Sequence, residues 1–273
     1  MNFSVLISVY NKENASKFHT ALESIFNQSL LPKEVVIVED GPLNPDLYSV
    51  IKKFKNINSK INLISVPLKK NVGLGSALNE GLKHCKFEWI ARMDSDDISL
   101  KNRFKKTVDF IYSSNFKFDV VGSDIIEFDD DSGEDLCVRK VKEGHIQIKY
   151  DIRNRNPMNH VSVFFNKKSV IDSGGYKSFL YFEDYFLWAR MLLKGYKFKN
   201  INCSLVRVRA GKNMISRRRG YFYSKQEFLM QKFLLVNNLS SNLKFLQNIF
   251  IRVLGRLMPK LLIELGYKIY RIK

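Results

Sequence analysis

The chain has 273 residues, of which 45% are hydrophobic, so it is long and apolar enough to bury the core of one large domain. Its three cysteines are far apart, which excludes a disulfide scaffold and fits reduced thiols in a cytoplasmic protein. The formal net charge is +18, and the excess lies almost entirely from Phe186 onward, where only Glu227 and Glu264 are acidic.

Neither secretion nor membrane spanning is expected. The first apolar run, residues 3–10, is short and has no basic residue before it, unlike a secretory signal. The most apolar stretch near the C-terminus is interrupted by Arg252, Arg256 and Lys260, so it is too polar to span a bilayer. The basic end can still lie on an anionic surface.

The first hundred residues alternate short apolar runs with helical patterns. The predicted strands cover residues 3–9, 35–38, 61–66 and 87–93, and the predicted helices cover 15–27, 47–54 and 74–85. This β-α-β-α order predicts an α/β fold, with a mostly parallel sheet flanked by helices.

Unusual polar residues follow each of these four strands. They are Tyr10 to Glu13, Glu39 to Pro42, Asn71 to Gly73, and Asp94 to Asp97. Because ligands bind at the carboxyl ends of the strands in such sheets, we expect these residues to surround a site.

The second half of the chain is less regular. We predict a helix over 103–112, a strand over 119–128, a solvated acidic loop over 129–135, a strand over 160–165, a helix over 183–194, a hairpin over 196–201 and 204–209, and a nearly continuous helix from 219 onward with a break at Pro259. The predicted domains are an α/β body over residues 1–215 and a basic helical C-terminal extension over 216–273.

Three carboxylates lie just past the fourth strand, at Asp94, Asp96 and Asp97. Crowded carboxylates repel one another unless a cation lies among them, and a divalent ion with oxygen ligands satisfies that need. The alternative is an Asp-rich cap for the next helix. Asp40, at the end of a neighbouring strand, favours the metal.

Glu183 and Asp184 open a later helix, where acids complement the helix dipole; a carboxylate there can also serve as a general base. His160 starts a predicted strand and is a candidate for the pocket wall. The Gly73-Leu74-Gly75 turn lacks the third glycine of a dinucleotide fingerprint, and no P-loop is present, which argues against an ordinary NTPase or kinase.

The basic residues near the C-terminus form two groups. A glycine-containing loop carries Arg207, Arg209 and Arg217 with their basic neighbours, which could clamp a diphosphate or simply be solvated. Residues 245–270 keep apolar side chains at helical spacing with recurring cations, the pattern of an interfacial helix on anionic lipid or of a packed helix with a basic outer face.

Together these motifs resemble the family 2 glycosyltransferases of bacterial surface polysaccharide synthesis, which have the GT-A fold. The motifs occur in the family's order over residues 3–210: Val5 to Glu13, Glu34 to Gly41, Asn71 to Gly73 followed by Ala77 to Gly81, Ala91 to Asp97, and Glu183 with Asp184. The family's arginine-rich motif is not sharply recognisable.

The resemblance implies a role for each site residue. It implies that Asp184 is the catalytic base and that Asp96, with Asp94, holds Mn²⁺ or Mg²⁺. The nucleotide-sugar contacts are then Tyr10, Glu13, Asp40, Asn71, Gly73, Arg92, Asp94, Asp97, His160, Glu183 and Arg217.

The resemblance also implies an activity. It is an inverting transfer of glucose or galactose from a UDP-sugar to N-acetylglucosamine or N-acetylgalactosamine on undecaprenyl diphosphate, forming a β-glycoside at the cytoplasmic face of the membrane. The alternatives are a sugar nucleotidyltransferase and a basic nucleic-acid-binding protein, although the carboxylates after the strands argue against a nucleic-acid partner. The transferred sugar, the accepting hydroxyl and the oligomeric state stay open.

Overall fold

The first half of the sheet is built from the four apolar runs at the start of the chain. In the computed structural model, which describes residues 1–57, 60–210 and 220–254, they form β1 (Phe3–Val9), β2 (Glu34–Glu39), β3 (Asn62–Pro67) and β4 (Trp89–Met93). β1 pairs parallel with β2 and β4, and β2 pairs parallel with β3. The four carboxyl ends therefore share one edge of the sheet, as predicted.

Three helices cover both faces of this half, as predicted: α1 (Ala15–Phe26), α2 (Pro45–Asn56) and α3 (Leu74–His84). Asn14 caps α1 and Asn44 caps α2, each accepting backbone N–H bonds through its side chain. Because side chains alternate along β1, Leu6 packs with Leu78 of α3 in one core, while Ile7 lies in the other core with α1 and α2.

The sheet continues through strands of both directions. The remaining strands are β5 (Ile98–Ser99), β6 (Val120–Phe128), β7 (Asp135–Arg139), β8 (Phe164–Asn166) and β9 (Phe198–Arg209). The described strands have the order β3-β2-β1-β4-β8-β6-β9-β5, with β7 paired to β6. β8 is antiparallel to both β4 and β6, so the sheet is mixed.

The other helices lie between these strands: α4 (Arg103–Ser113), α5 (His145–Asp151), α6 (Lys167–Asp172) and α7 (Glu183–Leu193). The sequence predicts α4 and α7 correctly but misses α5 and α6, which have only seven and six residues. Such short helices carry too few turns to show a periodic pattern.

The predicted hairpin over 196–201 and 204–209 is wrong. Those residues form the single strand β9, which runs parallel to β6 and antiparallel to β5. The register with β6 shifts around Asp124, so Ser123 pairs with Ile201 but Asp124 pairs with Ser204. The polar residues that resemble a turn are therefore a bulge within one strand.

Two further predictions fail in part. Residues His160–Ser162 form a 3₁₀ turn and only Phe164–Asn166 is a strand, because the backbone N–H of Ser162 donates to the carbonyl of Asn159 at 2.9 Å. The acidic stretch is not a wholly solvated loop either, since its last residue begins β7 and the carboxylate of Asp130 is bound by Arg209 at 2.7 Å.

The helices after residue 219 pack on the body. They are α8 (Gly220–Val236), α9 (Asn242–Asn248) and a π-helical turn over Ile249–Leu254. The predicted continuous helix is wrong between Val236 and Asn242, and Pro259 lies outside the described residues. Met230 and Leu234 of α8 join the core beside α7. No helix within the described ranges is long and apolar enough to cross a membrane.

Candidate active site

A cavity of about 540 Å³ lies where the loop after β4 meets the first turn of α7. The predicted site residues on its wall are Asp94, Asp96, Asp97, His160 and Asp184. The fold thus brings the acidic loop and the predicted general base, 87 or more residues apart in sequence, to one space.

The acidic loop is held by two arginines. Asp94 is hydrogen-bonded by Nη2 of Arg92, whose side chain is buried at 2% exposure. The backbone N–H of Arg209 donates to Oδ1 of Asp97 at 2.9 Å, and Nε of Arg209 donates to the carbonyl of Asp96. Arg92, in β4, and Arg209, at the end of β9, therefore hold the acidic loop in place.

The carboxylates of this loop are crowded. Burial, together with the charges of Asp94 and Glu13, raises the pKa of Asp96 to about 6. Burial and the charges of Asp94 and Asp96 raise the pKa of Asp97 well above its usual value. A cation placed among these groups would relieve the repulsion that raises the pKa values.

The donor set fits a divalent ion shared with a substrate. Within the described residues no three His, Cys, Asp or Glu side chains form a metal-binding cluster. Mg²⁺ is usually bound by one or two carboxylates and completed by substrate phosphates and water. Asp96, with Asp94 beside it, matches that arrangement.

The loop after β1 lies against the acidic loop. Ser95 Oγ donates to Oε2 of Glu13 at 2.6 Å, while Oε1 of Glu13 accepts from the backbone N–H of Asn14 at 2.8 Å. Tyr10 is 44% exposed, so its ring is available to a planar ligand. Glu13 is thus placed beside the acidic loop, and its backbone N–H donates to the carbonyl of Tyr10 in the same turn.

The loops after β2 and β3 are joined through Asp40. Its carboxylate accepts from the backbone N–H of Val72 at 2.7 Å and of Gly73 at 3.2 Å, and Asn71 Nδ2 donates to the Asp40 carbonyl at 3.2 Å. Asp40, Asn71 and Gly73 therefore form one unit at the sheet edge, and none of the three lines the cavity. Their nucleotide contacts stay a prediction.

Asp184 lies in the first turn of α7. Its Oδ2 accepts from Nδ2 of Asn156 at 2.6 Å and its Oδ1 accepts from the backbone N–H of Tyr185 at 2.7 Å. Burial raises the pKa of Asp184, while these two hydrogen bonds oppose the rise. A buried, oriented carboxylate of raised pKa is suited to accept a proton.

Burial shifts the pKa values of Glu183 and His160 in opposite directions. Glu183 packs against Gly75 of α3, and burial raises the pKa of Glu183 to about 7. His160 Nε2 is 2.8 Å from the Tyr176 hydroxyl, and burial with the nearby Arg92 charge lowers the pKa of His160 well below its usual value. His160 is therefore a neutral part of the cavity wall.

Sequence reasoning misses several polar residues of the wall. They are Arg139, Arg155, Asn156 and Arg252. They belong to no recognisable motif, and the only signal is the unusual basic and amide content of residues 152–156. From the predicted basic loop, Arg209 does reach the cavity, whereas Arg217 lies outside the described residues.

Comparison with known proteins identifies the family. Residues 4–173 match the family described as Glycosyl transferase family 2. The amylovoran biosynthesis glycosyltransferase AmsE of Erwinia amylovora is 38% identical over 97% of this chain and 98% of that protein. A UDP-Gal:alpha-D-GlcNAc-diphosphoundecaprenol beta-1,3-galactosyltransferase of Escherichia coli is 36% identical over 94% of this chain and 92% of that protein.

Solved structures share the fold. S. aureus TarS 1-349 in complex with UDP-GlcNAc has a TM-score of 0.66 at 21% identity, covering 94% of this chain and 74% of that one. The mannosyltransferase PcManGT from Pyrobaculum calidifontis, in complex with GDP-Man and Mn²⁺, has a TM-score of 0.62 at 16% identity, covering 80% and 59%. The predicted GT-A-like mixed sheet flanked by helices is confirmed.

Proposed function

Because this chain belongs to glycosyl transferase family 2, we propose that it is an inverting hexosyltransferase of surface polysaccharide synthesis. Its donor is UDP-glucose or UDP-galactose, and its acceptor is N-acetylglucosamine or N-acetylgalactosamine on undecaprenyl diphosphate. The observation that carries the proposal is one cavity that holds both the carboxylates beside Asp96 and the oriented carboxylate of Asp184.

The donor and acceptor are supported by the relatives. The E. coli relative at 36% identity is named for UDP-galactose and a lipid diphosphate acceptor, and it matches nearly the whole chain. A structural neighbour was solved with UDP-GlcNAc, which supports a uridine nucleotide, and ligands of such sheets bind at the carboxyl edge of the strands. The loops of Tyr10, Asp40 and Asn71 lie at that edge.

Different residues of the cavity act on the nucleophile and on the leaving group. Asp184 takes the proton of the acceptor hydroxyl as that oxygen attacks the anomeric carbon. Attack from the side opposite the nucleotide inverts that carbon, so an α-linked UDP-hexose gives a β-glycoside. Arg209, whose guanidinium bonds the Asp96 carbonyl and pairs with Asp130, supplies hydrogen-bond donors near the departing diphosphate.

Asp96 and Asp94 would hold Mn²⁺ or Mg²⁺ with the donor. When bound, the ion neutralises the negative charge that develops on the nucleoside diphosphate. Asp94 is also tied to the buried Arg92, which keeps its carboxylate in place when the donor leaves.

We also propose a peripheral position on the cytoplasmic face of the membrane. The helices from α8 onward expose large apolar side chains: Tyr221, Phe222, Leu243, Leu246, Phe250 and Ile251 are each more than half exposed. Exposed cations accompany them at Lys225 and Lys232, and the acid of α8, Glu227, is buried. Apolar area with positive charge is the composition that binds anionic lipid.

The test is donor-specific release of UDP. Purified protein is supplied with Mn²⁺ and with UDP-glucose, UDP-galactose or their N-acetyl forms, with and without an N-acetylglucosaminyl diphosphate-lipid. We expect acceptor-dependent release with one hexose donor and a β-linked product by NMR. Release that ignores every lipid-diphosphate acceptor, or an α-linked product, would overturn the proposal.

A further inference from the structure

Three arginines on the cavity wall have no role in the donor end of the reaction. Arg139 ends β7, Arg155 follows α5, and Arg252 lies in the π-helical turn after α9. The positive charge of Arg139 is felt by Asp184, where it opposes the rise in the pKa of that carboxyl. The cavity wall therefore carries positive charge close to the proposed base.

Arg252 is held by a buried acid. Its Nε lies 3.1 Å from Oε1 of Glu227, which is fully buried on α8, and its Nη1 donates to the carbonyl of Asn154. Gln231 Nε2 donates to the same Glu227 oxygen at 3.1 Å. A buried ion pair contributes little net stability, so the main effect of the pair with Glu227 is to hold the Arg252 guanidinium in one position.

The same network holds the segment that carries Arg155. Asn248 Nδ2 donates to the carbonyl of Arg153 at 2.7 Å and to Oε1 of Gln231 at 2.8 Å. Arg155 Nε donates to Oδ2 of Asp151 at 3.0 Å. The C-terminal helices thus fix the position of residues 153–156, including the Asn156 that orients Asp184.

The cations of the cavity fall into two groups by their partners. Arg209 is bound to Asp96 and Asp97, which places it with the donor's metal and diphosphate. Arg155 precedes Asn156 in the chain and Arg252 donates to the carbonyl of Asn154, which places both near the proposed base that Asn156 binds. When the hydroxyl of an acceptor sugar contacts Asp184, the diphosphate on the anomeric carbon of that acceptor would extend away from the donor.

We infer that Arg139, Arg155 and Arg252 form an anion subsite that binds the diphosphate of the lipid-linked acceptor, with Arg252 determining specificity for a charged acceptor. Guanidinium groups bind phosphate oxygens through paired hydrogen bonds, and a fixed guanidinium loses little freedom on binding. The inference rests on the proposed function, because that function supplies an acceptor with a diphosphate.

The binding test uses farnesyl diphosphate, a sugar-free lipid diphosphate, titrated calorimetrically into the full chain in EDTA. Replacing Arg252 alone would remove the cation that faces the buried Glu227 carboxylate, so the variant is Glu227→Gln with Arg252→Gln. We expect its affinity to fall about tenfold or more, as Arg155→Gln should also do, because a charge-assisted contact is lost. Lys52→Gln, which removes an exposed cation of α2, should bind as wild type does.

A second titration separates the two diphosphates. The affinity for UDP with Mn²⁺ should be unchanged in the Glu227→Gln, Arg252→Gln variant. If this variant instead loses affinity for UDP and still binds farnesyl diphosphate as wild type does, the assignment to the acceptor is overturned. Equal farnesyl diphosphate affinity in wild type and both arginine variants would also overturn it. If wild type binds farnesyl diphosphate but transfers no sugar, the proposed function fails while the subsite stands.

Discussion

The side-chain amide of Asn156 donates a 2.6 Å hydrogen bond to Oδ2 of Asp184, and the backbone N–H of Tyr185 donates to Oδ1 at 2.7 Å. The two bonds hold the carboxylate from both oxygens at the start of α7. Because both stabilise the charged form, they counter the effect of burial on the pKa of Asp184. Asn156 is therefore a positioning residue for the proposed base.

Replacing Asn156 with Ala should shift the pH dependence of transfer. The lost hydrogen bond raises the pKa of Asp184 further, so the base becomes protonated at a higher pH and activity is lost earlier as the pH falls. We also expect kcat/KM to fall about tenfold at neutral pH through misorientation. The measurement is the pH profile of UDP release. Asn154→Ala removes a nearby amide that bonds Asp151 instead, and an identical profile in both variants would contradict the role of Asn156.

Asp184 and Asp96 should fail in different ways. Asp184→Asn keeps the shape of the base but cannot accept a proton, so turnover should fall by about 10²–10⁴ while the affinity for UDP with Mn²⁺ is unchanged. Asp96→Asn should lose the metal-dependent part of that affinity as well. Calorimetry and UDP release measure the two effects, with Asp109→Asn on the surface of α4 as the isosteric control. Intact turnover in Asp184→Asn would refute its assignment.

The sequence predicts the loops at the carboxyl ends of β1 to β4 well because that information is local. β1, β2, β3 and β4 are continuous apolar runs, and in a parallel sheet the residues after them must meet at one edge. The helices between them begin at residues such as Asn14 that cap through their own side chains. Periodicity and capping are properties that a short window of sequence contains.

The surroundings of Asp184 are not predictable in the same way. Asn156 reaches Asp184, and Arg252 reaches the carbonyl of Asn154, only after distant segments pack together. The sequence wrongly predicts a hairpin at β9 because a bulge places polar residues at the centre of one long strand. Tertiary contacts decide both cases, and no local pattern records them.

Glu183→Gln should stabilise the protein at alkaline pH. Burial raises the pKa of Glu183 from 4.5 to about 7, so in wild type the stability falls as the pH rises between those two values. An amide at this position never has to bear the buried charge. We expect a gain of about 1 kcal/mol at pH 8 relative to pH 5, discounted for partial exposure.

Urea unfolding of the two proteins at pH 5 and pH 8 measures this gain. The matched variant is Glu23→Gln on α1, whose side chain is exposed and which should show no such pH-dependent difference. If the difference in unfolding free energy between Glu183→Gln and wild type is the same at pH 5 and pH 8, Glu183 does not bear its charge in a buried environment.

Gly41→Ala should weaken donor binding as well as stability. Gly41 has a φ of +88°, and an added Cβ would lie 2.7 Å from the backbone nitrogen of Asn71. Gly133 has a φ of +73° with nothing within 4 Å of an added Cβ. Both alanine variants should lose about 1–2 kcal/mol of unfolding free energy to the left-handed backbone. Only Gly41→Ala must also displace the loop that Asp40 binds through Val72, so only it should lose UDP affinity in calorimetry, and equal UDP affinity in the two variants would show that this loop does not contact the nucleotide.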